Sequence, residues 1–114
     1  MKTMYYALTV ELACEPSTPR ATQRLFLRAA HGVFEQLYVS HESKPQSHYH
    51  LLGVAQGEPE VERMFRRLGA RHRYVQPLEE SRVPFYYNYM FALGRHRDKA
   101  CGTLPVLMHT GTKD

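Results

Sequence analysis

The 114-residue sequence contains no tryptophan and only two cysteines, Cys14 and Cys101. They lie far apart with no CxxC pair, which argues against a disulfide framework or a zinc ribbon and for reduced thiols in a cytosolic protein. No run of about 18 apolar residues occurs, so no membrane-spanning helix is expected. Glu11 interrupts the continuous apolar stretch that a signal peptide would need near the start. Internal repeats and low-complexity blocks are missing as well. The length suits one domain and leaves no room for a second catalytic one.

Hydrophobic residues make up 43% of the chain and charged residues 23%, an ordinary globular balance. The net charge of +4 is a mild bias toward polyanionic partners, far below that of ribosomal or chromatin proteins.

Tyr5 to Leu12 alternates, with Tyr6, Leu8, Val10 and Leu12 on one side, and reads as a half-buried strand. Pro16-Ser17-Thr18-Pro19 supplies a stop, an N-cap and a proline for the first helical turn. Leu25, Phe26, Ala29, Ala30, Val33 and Leu37 then recur at helical spacing and predict a helix to about Gln36. Two strand-like runs, Leu37–Glu42 and Ser47–Val54, flank the polar turn Ser43–Gln46 and predict a β-hairpin. Gly57 and Pro59 open a second helix carrying Val61, Met64, Phe65 and Leu68, with Gly69 placed to end it. Arg71–Gln76 predicts a fourth strand broken by Pro77, and Phe85 to about Leu93 an aromatic helix stopped by Gly94. Thr103–His109 reads as an edge strand or an ordered tail, since Pro105 disfavours a central position. The order β-α-β-β-α-β plus a helix predicts an α+β, ferredoxin-like (split βαβ) antiparallel sheet with helices on one face. One domain spans residues 1–114, with its core over about 4–95.

His48 and His50 stand two apart in the predicted hairpin and so share one face of the sheet, about 7 Å apart along the strand. That spacing suits two imidazoles on one metal ion. Glu42, across the turn, is placed to add a carboxylate; His41 and Glu11 are rival third ligands. Two imidazoles and a carboxylate with open positions suit Mn²⁺ or Zn²⁺, whereas Mg²⁺ prefers oxygen-richer shells. Tyr86, Tyr87 and Tyr89 crowd the aromatic helix. A phenol, with its ordinary pKa near 10, attacks a phosphodiester at neutral pH only beside a polarised phosphate or a base. The tyrosines and the histidine pair therefore need one another.

In order and spacing these elements resemble the HUH endonuclease superfamily, rolling-circle replication initiators such as the nicking domains of circovirus and geminivirus Rep proteins. Tyr6-Ala7-Leu8-Thr9-Val10 looks like the family's first strand motif. Ser47-His48-Tyr49-His50-Leu51-Leu52-Gly53 looks like its histidine motif, and Tyr87-Asn88-Tyr89-Met90-Phe91-Ala92-Leu93-Gly94 like its tyrosine motif. Leu68 to Val75 is similar to the circovirus segment joining helix to strand, so the likeness covers about Tyr5 to Gly94. It implies an HUH palm in which Glu42, His48 and His50 hold a divalent metal ion, Mn²⁺ or Mg²⁺. It further implies Tyr89 as nucleophile, with Tyr86 in reserve, and a covalent 5′-phosphotyrosine on single-stranded origin DNA.

Under the same resemblance Arg66, Arg71, Arg73 and Arg95 hold phosphates, and exposed tyrosines stack bases. The family's lysine, three residues after the tyrosine, is Ala92 here; Arg95 and Lys99 are the nearest substitutes. The viral relatives carry a helicase domain that has no counterpart in these residues. A host helicase as partner and a cytoplasmic location on replicating plasmid or viral DNA are the corresponding expectations. Two other readings compete: a catalytically impaired descendant that binds nucleic acid or a protein, and a ferredoxin-like metal-independent endoribonuclease with His48 and His50 as acid and base.

Overall fold

A computed structural model describes residues 2–42, 46–96 and 106–109, with 91–96 and 106–109 traced along the backbone. The elements are β1 (Thr3–Leu12), α1 (Pro19–Ala30), β2 (Gln36–Glu42), β3 (His48–Gln56), α2 (Val61–Leu68), β4 (Ala70–Leu78), a 3-10 turn (Glu80–Arg82), α3 (Val83–His96) and β5 (Val106–His109). The strands form one open sheet in the order β4-β1-β3-β2-β5, antiparallel at every pairing. The fold is α+β: four long strands, a short fifth at the β2 edge, and three helices.

Period-two alternation divides the side chains between two faces. Leu8, Val10 and Leu12 of β1, Leu37 and Val39 of β2, and Tyr49 and Leu51 of β3 face α1 and α2. There they enclose a core with Phe26, Ala30, Met64 and Phe65. The residues between them, including Thr9, Ser40, Glu42, His48 and His50, face the opposite side. That side receives α3, so the expectation of helices on one face holds for α1 and α2 alone.

Thr18 caps α1: its hydroxyl accepts from the Ala21 N–H at 3.0 Å, and Pro19 occupies the first turn. The helix ends at Ala30, six residues before the sequence periodicity suggests. Gly32 turns the chain at φ 78°, and the Arg67 guanidinium of α2 donates to the freed carbonyls of Ala29 (3.2 Å) and His31 (2.7 Å). Val33 and Leu37 still reach the core, but from the loop and from β2, which prolongs the apolar rhythm past the helix. At the end of α2, Gly69 takes φ 67° and closes the helix as expected. Two other signals are overridden. Pro77 lies inside β4, paired with Tyr6, because an edge strand has a side on which no N–H is needed. Gly94 lies within α3, which continues to His96.

Gly53 of β3 has a packing role. A Cβ there would lie 2.6–2.8 Å from three ring atoms of Phe34, which is itself fully buried. Gly53→Ala therefore forces a core ring aside. We expect a loss of about 3 kcal/mol in denaturant unfolding, the upper end of ordinary overpacking.

Candidate functional site

The hairpin register places Glu42 opposite His48 and Ser40 opposite His50, so all four share the α3 face. Glu42 Oε1 lies 3.0 Å from His50 Nε2, and both side chains are about nine-tenths buried. On the other side of the same ring, His50 Nδ1 is 3.4 Å from Thr9 Oγ1, on the neighbouring strand β1. His48 has a comparable arrangement, its Nδ1 lying 3.0 Å from the Gln46 carbonyl oxygen. A proton on Nδ1, donated to that carbonyl, leaves the Nε2 lone pair available for a metal. Both histidines thus have Nδ1 next to an oxygen, an arrangement characteristic of metal-ligating imidazoles.

Among the described residues, no group of three His, Cys, Asp or Glu side chains converges at metal-holding distance. Glu42 and His50 meet, while the His48 ring leans to the turn. In type, two imidazoles and a carboxylate on one ribbon face are donors that a divalent cation takes.

Helix α3 is fixed over this face at two points. The fully buried Ser40 hydroxyl donates to the Met90 carbonyl at 2.7 Å. The Tyr86 hydroxyl donates to the carbonyls of Leu51 (3.0 Å) and Leu8 (3.3 Å). Between these points Tyr89 presents its ring edge-on to His50, with centroids 5.9 Å apart and planes at 81°, and half of its surface stays open. Tyr86 and Tyr89 thus have opposite chemistry. Burial, and then the neighbouring Tyr89, push the Tyr86 phenol well above its ordinary value. Tied to two carbonyls, Tyr86 is poorly suited to the reserve role of nucleophile; Tyr89 stands open beside the histidine.

The rival ligands are placed elsewhere. His41 lies on the α1 face, stacked on Tyr49 (centroids 4.3 Å apart), with Nε2 2.7 Å from Ser47 Oγ. Glu11 shares the site face but sits on β1, where Arg71 Nη2 (3.4 Å) and His72 Nε2 (3.5 Å) engage its carboxylate. Among the described residues, the expected phosphate-binding arginines Arg66, Arg71 and Arg73 do not assemble. Arg66 and Arg73 belong to the α1/α2 side, Arg66 exposed on α2 and Arg73 over the Phe65 ring (5.3 Å) with Glu62 3.0 Å away. Arg71 is held by Glu11 at the sheet edge. The side chains of Arg95 and Ala92, and all of Lys99 and Cys101, lie outside the described residues.

Sequence reasoning missed Thr9, Ser40 and the Gln46 carbonyl, because each acts through a register or a turn that only the folded sheet defines. It also missed a cleft of ≈ 690 Å³ beside the site. Since α3 covers the β2/β3 half of this face, the β1/β4 half stays open. Ala7 and Thr9 form the cleft floor, Tyr74 and Gln76 one wall, and Arg82 and Phe85 the other. Tyr74 is 59% exposed and Phe85 75%, unusual for large aromatics, and the Tyr74 hydroxyl donates to Gln76 Oε1 at 2.7 Å. Thr9 belongs both to the cleft and to the His50 contact, so the two are continuous.

No family profile, curated protein or solved structure matches the chain. Among the described residues, no helix is long and apolar enough to cross a membrane.

Proposed function

We propose that this chain is a nicking domain of the HUH type, a ferredoxin-like palm that cuts and rejoins single-stranded DNA at a replication origin through Tyr89. The observation that carries the reading is the juxtaposition of Tyr89, open to solvent, with His50 and Glu42 on one sheet face. Residues 39 to 47 positions apart in sequence are brought together there, as attack by a phenol requires.

In this reading Glu42, His48 and His50 hold a divalent ion, which when bound polarises the scissile phosphate. The other parts belong to the chain. Thr9 steadies the His50 ring from its Nδ1 side, and the Gln46 carbonyl favours a proton on His48 Nδ1, which leaves that ring's Nε2 lone pair for a metal. The β1/β4 cleft takes unpaired bases, for which the exposed rings of Tyr74 and Phe85 are stacking surfaces. The Tyr89 oxygen attacks phosphorus, the bond to the 3′ oxygen breaks, and the phenol's proton passes through solvent to that departing oxygen. A 5′-phosphotyrosine and a 3′-hydroxyl result, and the reverse attack reseals the strand. Arg82, at the cleft wall, is the described arginine placed to meet a phosphate there.

The test is incubation with labelled single-stranded DNA and Mn²⁺, followed by denaturing electrophoresis. A protein–DNA adduct that survives denaturation and vanishes with chelator is expected. DNA binding without an adduct overturns the nicking reading in favour of a binding descendant, the outcome that Ala92 in the lysine position favours. RNA cleavage in chelator would transfer the site to acid–base chemistry by His48 and His50.

A further inference from the structure

The two faces of the sheet differ in chemistry. Helices α1 and α2 together hold six arginines and one glutamate, a surplus of five positive charges, larger than the +4 of the whole chain. Helix α1 contains no acidic residue. Its Arg20, Arg24 and Arg28 recur every four residues, about 6 Å apart along the axis, on the side directly away from the buried Phe26. All three are exposed and none makes an ion pair among the described residues, whereas Arg63 is paired with Glu60 and Arg67 caps α1. The exposed large aromatics, Tyr74, Phe85, Tyr87 and Tyr89, all lie on the α3 side; the helical side exposes Leu27 and Val75 instead.

We infer that the Arg20/Arg24/Arg28 stripe is a second nucleic-acid surface, which binds the phosphates of double-stranded DNA without reading its sequence. Guanidinium groups suit phosphate through paired hydrogen bonds. A surface without aromatic rings has nothing on which to stack unpaired bases, so it matches a duplex, whose bases are already stacked and whose outside is a dense array of charge. An anionic membrane fits less well. A helix lying in a bilayer surface needs its apolar side free, and the apolar side of α1 is used up in the core. The inference rests on no step of strand nicking: a chain that binds duplex but forms no adduct would overturn the proposed function and leave this surface standing.

The experiment measures binding of the full chain to a blunt duplex of arbitrary sequence by fluorescence anisotropy between 50 and 200 mM salt. It compares wild type with Arg20→Gln/Arg24→Gln/Arg28→Gln and the corresponding triple Lys variant. All three positions are exposed, and glutamine and lysine keep helix propensity close to arginine's; circular dichroism checks the fold. Loss of three phosphate contacts lowers the magnitude of the log K against log salt slope by about 2.7 and weakens binding more than about tenfold. The Lys variant keeps the slope, and a short single strand binds all three proteins equally. The inference is overturned by an unchanged slope in the Gln variant, by an equal loss of single-strand binding, or by wild-type binding to phosphatidylserine vesicles that falls in the Gln variant while duplex binding does not.

Discussion

Replacing Tyr89 by phenylalanine is expected to abolish the denaturation-resistant adduct, with nicking reduced on the order of 10⁴-fold or more, the scale of removing a nucleophile from an assembled site. The change deletes one oxygen and keeps the ring that meets His50 edge-on. Because Tyr89 is half exposed, stability should stay within about 0.5 kcal/mol of wild type. Tyr86→Phe makes the opposite trade. It removes a donor from the Leu51 and Leu8 carbonyls, costing about 1 kcal/mol, and should leave the adduct in place. The two variants, compared for adduct yield and for urea midpoint, separate chemistry from architecture. An adduct that survives in Tyr89→Phe and disappears in Tyr86→Phe would reverse the assignment.

The second large effect concerns the two opposite faces of one hairpin. His50→Ala deletes an imidazole facing both Glu42 and Tyr89, and Mn²⁺ affinity should fall on the order of a hundredfold or more, with nicking lost alongside. His41→Ala should leave Mn²⁺ affinity unchanged and lower thermal stability instead, since that ring stacks on the buried Tyr49 behind the sheet. Titration calorimetry with Mn²⁺ on both variants is the measurement. Equal losses of affinity would mean that the metal is held elsewhere than on the Glu42–His50 face.

Local rules carried much of this fold. The alternation in β1, the Thr18–Pro19 start of α1, the pairing of β2 with β3 and the Gly69 stop all depend on neighbouring residues, and each is present in the structure; residues 43–45 of the predicted turn lie outside the described residues. What failed depended on partners distant in sequence. The early end of α1 relies on Arg67, about 36 residues away, to cap its carbonyls. Pro77 is tolerated because β4 lies at an edge, a fact of sheet order rather than of local sequence. The same division runs through the candidate site. The shared face of His48 and His50 follows from period two alone, and the Glu42–His48 pairing from the hairpin. The distinction between Tyr86 and Tyr89 does not: one residue turn on α3 separates a phenol tied to two strand carbonyls from one left open. The resemblance assigns Arg66 and Arg73 to phosphate, but a likeness in order and spacing does not reveal that both lie on the α1/α2 side of the sheet.

The anchors at Tyr86 and Met90 have a further mechanical consequence. They bracket Tyr89 within a single turn, so the intervening backbone has almost no freedom to translate, and the side chain explores space through its own two torsions. A reacting group restricted in this way gives up little entropy on reaching its target. In the proposed reaction it would also stay beside the same imidazole, so a severed end attached to it would be kept near the point at which it was released.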